Sequence, residues 1–337
     1  MTAAAPPFDP EVEGALDSAP DNVVALLPAE IPALRARETA PSDDVLTGGG
    51  RFILSRHQPT VGDGRELVVW LWRPVDAAGP LPVLWHLHGG GMVAGNAFTD
   101  IGQALDLATA CGGMVASVEY RLAPEWAYPA ALADSYDGLR WLVDNAASLG
   151  VAVDGIVVQG MSAGAGLAAA TVLHARQCGG PAVAAQLLLR PMLDARNDSF
   201  SGHQLAGRGC WDRTANATGW ASYLGAEAGT GSVPSTAAPA RESDLSGLPA
   251  TYLEVGSAET FRDEVVAYAA GIWAAGGEAE LHVWQGGCHA FESIAPDAAI
   301  SHDARAARRA WLRRVLPPIG YDPAVPTGPL REGTRDD

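Results

Sequence analysis

The chain reads as an α/β protein, with a mostly parallel central sheet of about eight strands, flanking helices and a helical cap. Three observations carry that reading. Short apolar runs alternate with helical patterns from residue 51 to residue 315. The alternation is missing before residue 51 and breaks again between 195 and 245. A strand runs directly into G-M-S-A-G at 160–164 and then into a helical stretch, the strand–turn–helix setting of a nucleophile elbow.

Residues 1–50 are rich in Ala and Pro, with Val23, Leu26, Leu27 and Leu34 at roughly helical spacing, and predict short helices without a strand. "RFILSRH" (51–57), "ELVVWLWRPV" (66–75) and "LPVLWHLH" (81–88) predict the first three strands. A helical pattern over 98–111 precedes a fourth, "GMVASVEYR" (113–121). Pro129 opens and Gly150 closes a helix over 129–150, the usual asymmetry of helix boundaries. "GIVVQG" (155–160) is a strand and 163–177 a helix. Strands follow at 184–191, 251–257 and 279–285, with helices at 261–275 and 298–315. The domain organisation expected is therefore a core of 51–194 and 246–317, a cap of 1–50 and 195–245, and an irregular tail, 318–337, rich in Pro and Gly.

At 337 residues, 48% hydrophobic and 18% charged, the chain is long enough for a substantial core and is not of disordered composition. A formal net charge of −17 argues against nucleic acid and anionic membranes as partners. No apolar stretch reaches transmembrane length, and the N-terminal segment carries Asp9, Glu11 and Glu13 where a secretory signal would be basic. The cysteines, Cys111, Cys178, Cys210 and Cys288, are scattered, so a reducing cytoplasm with free thiols is expected.

The chemistry concentrates in four places. Gly160 and Gly164 leave room for a sharp turn that exposes Ser162 at a helix N-terminus, where developing negative charge is favoured. "HGGG" at 88–91 ends a buried strand in three glycines, whose free N–H groups, with that of Ala163, suit an oxyanion. His86 and His88 share a strand face, but no acidic cluster accompanies them, so no metal is expected. "GGCHAF" places His289 after the last strand, and Cys288 beside it lacks a strained turn of its own. Glu259 follows the strand ending "LEVGSAE". Asp194 and Asp263 are alternative acids; Asp194 is better placed to brace the loop into the cap, and Thr260-x-x-Asp263 reads as a helix cap. Arg121 and Glu125, in "YRLAPE", read as a charge pair anchoring a turn. Trp211 and Trp220 suit either an acyl pocket or cap core.

"HGGG" (88–91), "YRLAPE" (120–125) with "YPAALAD" (128–134), "GMSAG" (160–164) and "HAF" (289–291) together resemble the hormone-sensitive-lipase-like group of α/β-hydrolase esterases. That resemblance implies the α/β-hydrolase fold, a cap over the active site, and a triad of Ser162, Glu259 and His289. It also implies an oxyanion hole at Gly90, Gly91 and Ala163, and hydrolysis of small, short-chain acyl esters without a cofactor. The expected partner is a small-molecule ester, with a homodimer left open. Two departures stand out: Met161 replaces the Asp that usually precedes the nucleophile, and Glu259 stands where the group usually has Asp. Glutamate is an accepted third member, and the order Ser, acid, His is that of α/β-hydrolases. Lactonase or amidase activity, and a ligand-binding role on the same fold, are the competing readings.

Overall fold

The computed structural model describes residues 4–19, 22–228 and 232–316; the expected tail and the last residue of the expected core lie outside them. Eight strands form one sheet: β1 (Phe52–His57), β2 (Val69–Pro74), β3 (Leu81–Leu87), β4 (Met114–Val118), β5 (Val151–Met161), β6 (Ala185–Leu189), β7 (Ala250–Gly256) and β8 (Ala279–Trp284). Their order is β1-β2-β4-β3-β5-β6-β7-β8. β2 runs antiparallel to both β1 and β4, and every other pair is parallel.

The helices are α1 (Pro10–Asp17), α2 (Ile31–Arg35), α3 (Asp43–Thr47), α4 (Ile101–Cys111), α5 (Ala130–Asp144), α6 (Ala146–Leu149), α7 (Ala163–Cys178), α8 (Phe200–Gln204), α9 (Arg213–Leu224), α10 (Arg262–Ala274), α11 (Phe291–Ile294) and α12 (Ala299–Val315). The single helix expected over 129–150 is two, because Asn145 at the junction leaves helical geometry (φ −108°) and its side chain turns back to Trp141 O (2.9 Å).

Strand periodicity distributes the core over both faces of the sheet. Val83, Trp85, Leu87 and Val158 pack with α5, α7 and α10, whereas Leu84, Val157, Leu187 and Tyr252 pack with α4 and α12 through Leu105, Trp311 and Leu312. The central strands are therefore apolar on both sides, as parallel strands between helix layers must be. None of the helices among the described residues is long and apolar enough to cross a membrane.

The segment before the sheet is distributed. Asp212 and Trp211 donate main-chain N–H groups to Val24 O (2.7 Å) and Val23 O (2.8 Å), and Thr218 Oγ1 donates to Leu26 O (2.6 Å), so this stretch is sewn to the 195–245 insertion. α1 instead lies against α11, with Val12 beside Cys288 and Phe291. α3 packs on β1 and α4, and Leu46 O accepts from Trp72 Nε1 (2.8 Å).

Candidate active site

The loops after β3, β5, β7 and β8 leave the same, carboxyl, edge of the parallel sheet, where ligands of open α/β sheets bind. Each brings one part of the site.

Ser162 links β5 to α7 with φ 55° and ψ −121°, a strained conformation for a residue with a side chain. Main-chain hydrogen bonds hold it there: its N–H donates to Leu189 O (2.9 Å), and its carbonyl accepts from Ala165, Gly166 and Met192. The two flanking glycines are needed for close approach. A Cβ on Gly160 would collide with Gly164 O, and one on Gly164 with the carbonyls of Leu87 and His88. Ser162 consequently stands at the N-terminus of a helix whose first N–H groups have no partner within the helix.

His289 and Glu259 meet it from the β8 and β7 loops. Those loops are stitched together: Ser257 N–H donates to Trp284 O (2.7 Å), Ala258 N–H to Gly287 O (3.1 Å) and Gly286 N–H to Ser257 Oγ (2.8 Å). Glu259 Oε2 accepts from Gly256 N–H (2.9 Å), which leaves Oε1 to accept from His289 Nδ1–H at 2.6 Å. The carboxylate is only an acceptor, so Nδ1 carries the proton and Nε2 is the acceptor of the Ser162 hydroxyl at 2.9 Å. The edge of Phe261 packs on the imidazole, ring centroids 5.2 Å apart. All three groups are buried, Ser162 at 7%, Glu259 at 2% and His289 at 6% exposure, so their mutual hydrogen bonds face little competition from water.

The glycine loop turns beside Ser162. Gly90 (φ 118°) and Gly91 (φ 62°) occupy the left-handed half of conformational space, and Gly90 also passes too close to Ala94 O for a Cβ. Among the described residues the N–H groups of Gly90, Gly91 and Ala163 donate to no protein acceptor. His88 fixes the loop from behind. Its ring stacks on Tyr120 (centroids 4.1 Å apart), its Nδ1–H donates to Gly89 O (2.7 Å), and burial holds it neutral, its pKa lowered to about 3. His86 is likewise engaged, between Gln159 Nε2 (2.7 Å) and Thr99 O (3.0 Å). Burial pushes the Cys288 thiol well up, so it is a packed thiol beside α1.

Other sequence candidates go elsewhere. Asp194 is ion-paired with Arg196 (2.6 Å). Asp263 accepts from Ser201 N–H (2.7 Å), tying α10 to α8, while Glu264 is buried and accepts from Leu193 N–H (2.8 Å). Both stand in the first turn of α10, where residues serving a helix start belong, but Thr260 does not cap it. Phe261 precedes α10 without a side-chain cap, because the Thr260 hydroxyl is used on Trp211 O (3.1 Å). The Arg121–Glu125 pairing is corrected as well. Arg121 binds the fully buried Asp134 through Nε (2.8 Å) and Nη2 (2.9 Å), and Glu125 pairs with Arg35 of α2 (2.8 Å). The signal for Asp134 is its place on the buried stripe of α5, with Ala130, Ala131, Ser135 and Gly138. Trp211, at φ 57°, packs its benzo ring onto Gly91, where a Cβ would collide with it, and 3.4 Å from the Cβ position of Gly219. Trp220 is buried beside Tyr223, ring centroids 6.2 Å apart.

Residues 84–293 match a family model described as alpha/beta hydrolase fold. The chain is similar to carboxylesterase NlhH of Mycobacterium tuberculosis, 33% identical over 321 residues, 94% of this chain and 98% of that one. It is also similar to ethyl acetate hydrolase of Pseudomonas putida, 33% identical over 246 residues, 69% and 73% of the two chains. Among solved structures it matches one titled bacterial heroin esterase, with TM-score 0.84 and 35% identity over 92% of this chain and 98% of that one.

Proposed function

This chain belongs to the alpha/beta-hydrolase family, in its hormone-sensitive-lipase-like branch, and on that premise we propose that it is a serine carboxylesterase acting through Ser162, His289 and Glu259. The observation that carries the reading is the Ser162–His289–Glu259 relay, with the tautomer fixed so that a bare Nε2 faces the hydroxyl.

Ser162 Oγ attacks the ester carbonyl carbon as its proton passes to His289 Nε2. Glu259 keeps the imidazole oriented and stabilises the imidazolium. The carbonyl oxygen, now an oxyanion, is accepted by the N–H groups of Gly90, Gly91 and Ala163, which are free to receive it. The C–O bond to the alcohol breaks, and His289 hands its proton to the departing alkoxide. Water then attacks the acyl-serine with His289 again as base, releasing the acid and restoring the hydroxyl.

The preferred substrates are small, short-chain acyl esters. Trp211 closes the space beside Gly91, and a relative is named an ethyl acetate hydrolase. Of the expected cap, residues 22–35 and the 195–245 insertion serve that role, a reading supported by the hydrogen bonds of Trp211 and Asp212 N–H to Val23 and Val24 O and of the Thr218 hydroxyl to Leu26 O, whereas α1 and α3 lie against the core.

A phosphonate label with intact-mass analysis tests the nucleophile: one adduct on the native protein, none on Ser162→Ala with its fold retained. An adduct on Cys288 overturns the assignment. Nitrophenyl esters of graded chain length, with lactones and amides alongside, test the substrate class, and turnover is expected to peak at the shortest acyl groups. Preference for a lactone or amide would replace the ester reading.

A further inference from the structure

Beneath the Ser162–His289 pair lies a buried lattice of two arginines and two glutamates that the proposed mechanism does not use. Arg190 follows β6 at φ 45°, and its N–H donates to Glu254 O (2.8 Å). Its guanidinium pairs through Nη1 with Glu292 Oε1, while among the described residues Nη2 has the thioether of Met161, at 3.8 Å, as its partner. Glu292 Oε1 also accepts from Arg308 Nη2 (2.7 Å). Arg308, on α12, bonds Glu254 through Nε (3.0 Å) and Gln103 through Nη1 (3.1 Å). Glu254 is completed by Tyr252 Oη (3.0 Å) and Trp284 Nε1 (3.3 Å). The four charged side chains are at most 5% exposed. Burial alone would push the Glu292 carboxyl up, but Arg190 and Arg308 outweigh it and hold the pKa at about 2.

Such lattices seldom pay in stability, since desolvating four charges offsets much of their attraction. What this one provides is geometry. Arg190 is the residue after Leu189, whose carbonyl holds Ser162 N–H. Met161 is the residue before Ser162. Glu292 is the third residue after His289 and lies on the short helix α11. The nucleophile's strand offers Arg190 a thioether, a weak acceptor, so the counter-charge comes from the histidine's side of the site.

We propose that Glu292 is a positioning residue: by supplying the counter-charge to Arg190 from the histidine loop, it bolts that loop to the ends of β5 and β6 and sets His289 against Ser162. This rests on the reading of Ser162 and His289 as the reacting pair.

The test separates charge from position. Glu292→Gln leaves Arg190 without an anionic partner and loosens the loop; a displacement of about 1 Å costs on the order of 10²-fold in kcat. KM should change little, and the low-field proton of the short His289–Glu259 hydrogen bond should broaden or vanish from the NMR spectrum. Met161→Glu in that background puts a carboxyl carbon where the sulfur lies, beside Arg190 Nη2, and restores neutrality without restoring the tie to the loop. The expected result is a Tm that recovers while kcat and the NMR signal do not. Recovery of kcat together with Tm would overturn the proposal, as would native kcat in Glu292→Gln. A double variant that fails to fold would overturn it too, because the restored charge would then not be what Glu292 supplies. Hydrolysis surviving in Ser162→Ala would instead sink the reading of the reacting pair, and the NMR measurement, which needs no substrate, would still report the hold of Glu292 on His289.

Discussion

Replacing Glu259 with glutamine changes the side-chain volume hardly at all and removes one charge. The consequence follows from the two donors it faces. Gly256 N–H, 2.9 Å from Oε2, is fixed in the main chain and can only donate, so the glutamine must present its carbonyl oxygen there. Its NH2 group then faces His289 Nδ1, 2.6 Å from the present Oε1, and forces that nitrogen to accept. The imidazole proton moves to Nε2, opposite the Ser162 hydroxyl, and the ring can no longer take the proton of the nucleophile. A triad carrying the wrong tautomer loses about 10⁴ in turnover, or about 5 kcal/mol in the barrier. Initial rates on nitrophenyl acetate, with circular dichroism and Tm as controls for folding, measure it. Asp194→Asn and Asp263→Asn, whose carboxylates serve Arg196 and Ser201, should stay within a few-fold of native turnover. Turnover of Glu259→Gln within about tenfold of native, with the fold intact, would refute the tautomer argument. Loss in Asp194→Asn instead would move the acid to the β6 loop.

Gly91→Ala should cost about 10²-fold in kcat, as loss of an oxyanion donor does, because its Cβ would drive into the Trp211 ring at φ 62°; Trp211→Phe in the same chain should recover part of it, and steady-state rates on the double variant decide. Asp134→Asn leaves Arg121 and Arg65 without their buried counter-charge and should lower stability by about 3–5 kcal/mol in urea unfolding, with kcat nearly unchanged in the folded protein. Glu264 gives a pH signature. Burial raises its carboxyl well above its usual value of 4.5, so its contribution to stability is full below that value and is lost as pH rises through the folded-state pKa. Urea midpoints of native protein and Glu264→Gln, compared between about pH 5.5 and 8.5, should therefore move in favour of the variant as pH rises; a constant difference would contradict it.

The sequence by itself determines the elements of this protein and their order. Strand and helix are written in near-neighbour periodicity, so β3, β5, β7 and β8 are legible, and so are the glycine-bearing turns after them that present Ser162 and His289. Glu259 is legible as a candidate because it follows a strand in the right order. Its choice over Asp263 and Asp194 was not, since it depends on which carboxylate reaches an imidazole 30 residues away. Only the tertiary structure decided that Arg121 answers to Asp134, that Trp211 covers Gly91, and that Arg190, Glu254, Glu292 and Arg308 share one lattice. The physical reason is the same for each. A side chain's polarity and size are local properties, but an ion pair between residues 102 positions apart, as Arg190 and Glu292 are, exists only once packing brings both together and removes them from water.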